Sequence, residues 1–157
     1  MGDLIQCLRL QTQPFFLSSP FSSRASLLGT ERLSELSPEQ AEFVRPQDGG
    51  MSLMEVMQKC KPTMLLGMTA VGGLFKEDLI KEMASHCERP VIFPLSNPTT
   101  SAECTAEQAF EWTDGRCIFA SGSPFDPVEL DDGRVFYPSQ CNNSKYNQWT
   151  ELFIAMQ

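Results

Sequence analysis

Residues 61–73 read KPTMLLGMTAVGG, in which a short apolar run ends at Gly67 and a glycine-bearing loop follows. The apolar run, residues 63–66, has the length of a strand, and its lack of alternation is typical of strands that are buried on both faces of a parallel sheet. Residues 76–86 follow, with Leu79, Ile80 and Met83 at helical spacing. The stretch therefore predicts a buried strand, a loop and then an amphipathic helix.

The same alternation of strands and helices continues on both sides of this stretch. Upstream, Ser52 is placed to cap a helix that runs to residue 59. Downstream, apolar runs at residues 91–95 and 117–120 predict two further strands, and the capping pattern T-x-x-Q that begins at Thr105 predicts a helix between them. Residues 128–137, with Asp132 and Gly133 in the middle, predict a hairpin. This order predicts an α/β fold, namely half of a doubly wound parallel sheet with right-handed crossovers, followed by a C-terminal β-hairpin.

Composition excludes several classes of partner. The net charge is −8, and no cluster of Lys and Arg is present to neutralise phosphates, so neither a nucleic acid nor an anionic membrane is expected as a partner. No apolar run approaches the ~20 residues that cross a bilayer. The six cysteines include no C-x-x-C pair and only one histidine accompanies them, which favours reduced structural thiols over a disulfide framework or a zinc site.

Residues 1–30 differ in character from the rest of the chain. They are rich in Ser, Phe and Leu, with Asp3 as the only acid and Arg9 and Arg24 as the only basic residues. Such a segment is typical of an organelle transit peptide, and the alternative is a disordered or foreign leader without a targeting signal. If the segment is a transit peptide, the protein is expected in mitochondria or plastids. If it is not, a cytoplasmic protein is expected.

Three small polar loops follow the predicted strands. Their sequences are GMTAVGG at residues 67–73, SNPT at 96–99 and SGSPF at 121–125. In an open parallel sheet the ligand crevice lies at the carboxyl ends of the strands, where such loops meet. Taken alone, each loop could equally be an ordinary turn between a strand and a helix that binds no ligand. The pair Gly72-Gly73 does not match the G-x-G-x-x-G fingerprint of dinucleotide-binding loops. Together the three loops indicate a binding edge, in which Asn97 is the candidate for holding a carboxylate or carboxamide.

Two further polar segments allow two interpretations each. Adjacent Asn142 and Asn143 either contribute one side chain to the crevice or belong to a solvated loop. Asp131-Asp132-Gly133 fits a hairpin turn better than a metal loop, because no further acids follow at calcium-loop spacing.

Four blocks of this sequence resemble consecutive blocks of the malic enzyme family. They are KPTMLLGMTAVGGLF, ERPVIFPLSNPTTSAECTAEQAF, GRCIFASGSPFDPVEL and NNS, and they occur in the family's order. The resemblance covers residues 31–144, which leaves residues 1–30 as an unmatched leader and 145–157 as a divergent tail. It implies part of a Rossmann-like domain that binds NAD or NADP. It also implies an oxidoreductase family that converts malate to pyruvate and carbon dioxide with Mg²⁺ or Mn²⁺.

The resemblance also implies roles for individual residues. Asn97 matches an asparagine that contacts malate and the nicotinamide end of the cofactor, while Asn142 and its neighbour Asn143 match a pair near the substrate carboxylate. Gly67 and the loop Val71-Gly72-Gly73 match a turn that borders the cofactor. Gln40, three residues before Phe43, stands where a lysine favours NADP in the family, so the cofactor expectation leans to NAD.

The family's general-acid tyrosine, general-base lysine, metal-binding acids and phosphate loop have no counterpart in these 157 residues. The resemblance therefore implies a truncated fragment that has no catalytic residue and no metal ligand of its own, and that is inactive in isolation. Ser139 and Cys141 stand where the family usually has glycines. The alternatives are a non-catalytic module that binds a nucleotide or associates with full-length malic enzyme subunits, and a non-functional remnant.

Overall fold

The computed structural model describes residues 51–141 in full and residues 4–9, 12–18 and 26–27 as backbone strands. These early strands are β1 (Leu4–Arg9), β2 (Thr12–Ser18) and β3 (Ser26–Leu27). They pair antiparallel in the order β3-β2-β1. The proposed targeting role of residues 1–30 stays a prediction. Gln40, Asn142, Asn143 and the tail 145–157 lie outside the described residues.

From residue 51 the elements follow the predicted order. The helices are α1 (Leu53–Cys60), α2 (Glu77–His86) and α3 (Ala106–Trp112). The strands are β4 (Met64–Met68), β5 (Val91–Pro94), β6 (Ile118–Ser121), β7 (Val128–Glu129), β8 (Val135–Phe136) and β9 (Ser139–Gln140). A single 3-10 turn, Thr99–Ser101, follows β5. The 3-10 turn and β9 were not predicted, and the two residues of β9 are polar and exposed. Strands β1 to β3 were not predicted either, since they fall in the segment expected to be a leader.

The parallel part of the sheet has the predicted topology, whereas its antiparallel extension by β1, β2 and β3 was not predicted. Strands β4, β5, β6 and β9 are parallel neighbours in that order, and β1 pairs antiparallel with the outer side of β4. Strands β7 and β8 form a separate antiparallel pair. The hairpin closes where it was expected, because Gly133 has a φ of 81° and its N–H donates to the Leu130 carbonyl. The α/β class, with a partial Rossmann-like parallel sheet and a C-terminal hairpin, is confirmed.

The helix starts are set by local capping side chains. Ser52 accepts from the Glu55 N–H, and the Glu55 carboxylate accepts from the Ser52 N–H. Thr105 and Gln108 make the same reciprocal pair at the start of α3. Each box satisfies two backbone groups that a helix cannot pair internally, so both predicted starts are confirmed.

Two apolar clusters cover the two faces of the parallel strands. The larger one joins all three helices to inward-pointing strand residues such as Leu65, Ile92 and Phe119. The smaller one lies on the opposite face and contains their chain neighbours, including Leu66 and Phe93. Because β4 to β6 follow one another in both chain and space, right-handed crossovers place α2 and α3 on one face. Because these strands are parallel, their carboxyl ends all lie at the same edge of the sheet.

The described residues contain no helix with the length and apolar character needed to cross a membrane. Among the described residues, Cys87, Cys104, Cys117 and Cys141 are free thiols. All of these except Cys87 are buried, and so is Cys60. Burial raises the pKa of the Cys117 thiol to about 11. Burial also raises the pKa of the Cys104 thiol, and the neighbouring charge of Glu103 raises that pKa further. These thiols fill space in the core, as the sequence predicts.

Thiol labelling tests this arrangement. Because the thiolate is the reactive form, we expect iodoacetamide at pH 8 to modify half-buried Cys87 roughly a hundredfold faster than Cys117 in the folded chain. Peptide mass spectrometry over time measures both rates, and labelling in urea, where the two rates should converge, is the control. Rapid modification of Cys117 without denaturant would contradict the described core.

Candidate functional site

The three polar loops start side by side at the carboxyl edge of the sheet. Main-chain pairing continues past the strand ends, where Leu95 N donates to Gly67 O at 2.8 Å and Gly122 N donates to Pro94 O at 3.1 Å. Cys141 N donates in the same way to Ser121 O at 2.8 Å. The loops 67–73, 96–99 and 121–125 therefore meet as the sequence predicts.

The first loop contains one buried glycine and four exposed residues, which are residues 70–73. Gly67 is buried behind the edge, where an ideal Cβ atom would lie 2.5 Å from Cδ of Glu103. Val71, Gly72 and Gly73 are exposed. Gly72 fits closely against the 3-10 turn after the second loop, since a Cβ there would lie 2.4 Å from the Thr100 carbonyl oxygen. Gly73 is open to a ligand, since no atom lies within 4 Å of a Cβ there, whereas Gly67 makes room for Glu103.

Asn97 is exposed on the second loop, and the third loop orients its amide. Ser123 Oγ donates to Asn97 Oδ1 at 2.8 Å, while Nδ2 makes only a long contact of 3.4 Å with the Leu95 carbonyl. Gly122 allows this approach, because a Cβ there would lie 2.8 Å from Asn97 Nδ2. With its oxygen engaged, Asn97 offers N–H donors, which suit a carboxylate or a carboxamide oxygen.

Glu103 is a site residue that the sequence reasoning missed. Its side chain is fully buried, and Oε1 accepts from Thr69 N at 2.8 Å, Thr69 Oγ1 at 2.9 Å and Ser96 Oγ at 2.5 Å. Its second oxygen, Oε2, has no hydrogen-bond partner among the described residues. The available signal was an acid between Ala102 and Cys104, two residues before the helix cap.

Further hydrogen bonds join the first loop to the segment around Glu103. Ser96 Oγ accepts from Ala70 N at 2.9 Å, and Thr69 Oγ1 accepts from Val71 N at 3.1 Å. On the main chain, Gly73 N donates to Ala102 O at 3.1 Å, and Phe75, just after the loop, donates its N–H to Glu103 O at 2.9 Å. The first two loops thus behave as one hydrogen-bonded unit with a buried carboxylate at its centre.

The acidic hairpin turn is explained without an ion. Asp132 Oδ1 accepts from the backbone N–H of Arg134, and the Arg134 guanidinium also contacts Asp132 and Asp114. The hydrogen bonds from the Arg134 backbone and side chain hold the pKa of Asp132 below its usual range. Within residues 51–141, no three His, Cys, Asp or Glu side chains form a group that could hold a metal ion.

The edge fits the neutral end of a dinucleotide better than its phosphates. The exposed groups are an amide, hydroxyls and glycine backbone, which hydrogen-bond a carboxamide or a sugar at close range. The sequence has no G-x-G-x-x-G loop to cradle a pyrophosphate. Asn142 and Asn143 follow directly after Cys141, which is anchored at this edge, but they lie outside the described residues.

Comparison with known proteins shows that the chain belongs to the malic enzyme family. The family described as malic enzyme, NAD binding domain, matches residues 22–146, which include all three loops and Glu103. An NADP-dependent malic enzyme of Dictyostelium discoideum is 50% identical over 125 residues, which are 78% of this chain and 23% of the relative. The corresponding enzyme of Mus musculus is 52% identical over 111 residues, 71% of this chain and 19% of the relative. A hydrogenosomal malic enzyme of Neocallimastix frontalis is 52% identical over 119 residues, 75% of this chain and 20% of the relative. The chain spans about a fifth of the length of these curated relatives.

Substitution of Gly67 tests the close approach to Glu103. In Gly67→Ala the new methyl group would lie 2.5 Å from Glu103 Cδ and 2.7 Å from Cγ, so the carboxylate must move away from Thr69 and Ser96. We expect the free energy of unfolding in urea to fall by about 2–3 kcal/mol.

Gly133→Ala is the control for this substitution, because no atom lies within 4 Å of a Cβ there and only the positive φ is strained. That strain should cost about 1 kcal/mol. An equal or smaller loss of stability at Gly67 would contradict the described packing.

Proposed function

The chain belongs to the malic enzyme family, and we propose that its strand-end loops bind the nicotinamide end of NAD or NADP together with malate. The observation that carries this proposal is the exposed Asn97 amide. Its oxygen is held by Ser123, and it lies within the segment that matches the family's NAD-binding domain. The bound coenzyme would supply the hydride acceptor for malate oxidation.

The proposed part of this chain is to bind and orient. Asn97 Nδ2 donates to an oxygen of the ligand, either the carboxamide oxygen of the nicotinamide or a malate carboxylate. The exposed Gly73 lets the ligand approach without a side chain in the way, since no atom lies within 4 Å of a Cβ there. Asn142 and Asn143 are proposed to contact the substrate carboxylate from the segment after Cys141. No step is assigned to a metal ion, since the described residues offer no group of ligands for one.

The choice between the two coenzymes rests on two opposing observations. The relatives from Dictyostelium discoideum and Mus musculus are named NADP-dependent, which favours NADP. Gln40 stands at a position where a lysine favours NADP in the family, so the glutamine favours NAD. We propose that the nicotinamide end, which both coenzymes share, determines binding to the described loops, so either one should bind weakly.

Titration of the 157-residue chain with NADH and NADPH tests the proposal. We expect amide shifts in ¹H–¹⁵N spectra at Gly72, Gly73 and the Asn97 side chain, with a Kd of about 1 mM, which corresponds to about 4 kcal/mol. Asn97→Ala should weaken binding about threefold to tenfold, because one hydrogen bond to a neutral group contributes about 0.5–1.5 kcal/mol.

Two further variants complete this experiment. Ser123→Ala should weaken binding less than Asn97→Ala, because it frees the amide without removing it. The control is Gln58→Ala, which removes an exposed amide on α1. Unchanged binding in Asn97→Ala, or shifts confined to residues away from the three loops, would refute the assignment.

Catalysis by the isolated chain is tested separately. The family's proton-transferring tyrosine and lysine have no counterpart in the 157 residues, so we expect no malate-dependent reduction of NAD or NADP with Mg²⁺ or Mn²⁺. Absorbance at the reduced-nicotinamide band measures the rate. Turnover within a hundredfold of the median enzyme rate constant, about 10 s⁻¹, would show that other residues of this chain perform the proton transfers.

A further inference from the structure

The fully buried Glu103 accepts hydrogen bonds from two different loops on a single carboxylate oxygen. Thr69 contributes its N–H and hydroxyl from the loop after β4, and Ser96 contributes its hydroxyl from the loop after β5. Thr69 and Glu103 are 34 positions apart in the chain, so their contact depends on the crossover through α2. This carboxylate is therefore a junction between the two loops.

Stability alone is a poor explanation for an acid at this position. Burying a carboxylate is costly, and an apolar side chain of similar volume is often at least as stabilising in a core. Here one oxygen has three donors and the other has no partner among the described residues. What an apolar replacement cannot provide is a directional acceptor that holds donors from both loops at fixed positions.

The two loops joined by Glu103 carry the groups to which ligand contact is assigned above. Thr69 is followed directly by the exposed backbone of residues 70–73, and Ser96 is followed directly by Asn97. Each contact to Glu103 thus holds the residue immediately before an exposed segment. A shift of either loop would change the distance between Asn97 and the backbone of Gly72 and Gly73.

We propose that Glu103 is a positioning residue, which fixes the spacing between the Thr69–Gly73 loop and the Asn97 loop and so sets the geometry of the coenzyme-binding edge. This inference rests on the proposed function for its ligand, but the coupling of the two loops can be measured without one. Gly67 is part of the arrangement, because any side chain at that position would occupy the volume of the Glu103 carboxylate.

The test compares two substitutions of Glu103 in the 157-residue chain. Glu103→Gln retains an oxygen that can accept from Thr69 and Ser96, whereas Glu103→Met keeps similar volume without an acceptor. In Glu103→Met we expect hydrogen exchange at the Thr69 and Ala70 amides to speed up by about tenfold, the effect of one lost hydrogen bond. Exchange at the amide of Met83, which lies inside α2 and has a fully buried side chain, serves as the internal reference for global stability.

Nucleotide titration gives the second measurement. Glu103→Met should weaken NADH binding about tenfold or more, since small displacements of binding groups have effects of this size, and Glu103→Gln should restore most of it. Glu107→Met, which replaces an exposed acid on α3, is the matched control and should alter neither measurement. If Glu103→Met does not fold, Ser96→Ala removes the donor from the second loop and should accelerate exchange at the Thr69 amide, which donates to Glu103 and not to Ser96. Unchanged exchange at Thr69 in Ser96→Ala would contradict the coupling of the two loops.

The outcomes separate this inference from the proposed function. If the wild-type chain shows no nucleotide shifts, the proposed function fails, and exchange at Thr69 and Ala70 alone decides whether Glu103 holds the loops. If the wild-type chain binds NADH and Glu103→Met binds it equally well, with exchange at Thr69 and Ala70 changed only as much as at Met83, Glu103 is an ordinary core residue and the inference is overturned. Loss of loop protection and of binding in Glu103→Met, with both restored in Glu103→Gln, supports it.

Discussion

Main-chain hydrogen bonds between β4, β5 and β6 hold every described candidate residue at one edge of the sheet. They continue past the strand ends, from Leu95 to Gly67 and from Gly122 to Pro94, so the loops leave the sheet in a fixed register. A slip of one residue would reverse which side chains face the helices and would separate Asn97 from Ser123. The apolar clusters on the two faces oppose such a slip, since each one buries alternate residues of the same strands.

Glycines shape this edge by admitting other side chains. Gly67 leaves room for the Glu103 carboxylate, and Gly122 leaves room for the Asn97 amide. In both places the neighbouring polar group is then held by hydroxyl donors, Ser96 and Thr69 for the acid and Ser123 for the amide. The edge therefore has a buried layer that fixes the loops and an exposed layer that is available to a ligand.

The sequence predicts the parts of this structure that local signals determine. The helices and the strands β4 to β8 follow from apolar spacing, and the capping box at Thr105 follows from side chains three residues apart. The box at Ser52 was predicted only as a helix start. Strand β9 was missed because its two exposed polar residues carry no such pattern, and its place depends on the bond from Cys141 to Ser121. Glu103 was missed for a related reason, because its partner Thr69 is 34 positions away and only the folded crossover brings them together. The position of Asn97 could be predicted from the end of its strand, but its orientation by Ser123 depends on the register between β5 and β6.

The chemical character of the edge limits what it can contribute to a reaction. The loops 67–73, 96–99 and 121–125 contain no Asp, Glu, His, Lys or Arg, so their exposed donors are amides, hydroxyls and backbone. Such groups keep the same charge across the physiological pH range, and they can orient a ligand but cannot exchange protons with it. In a reaction that moves both a hydride and protons, an edge of this kind provides constant geometry. The proton transfers of such a reaction would depend on groups outside these loops.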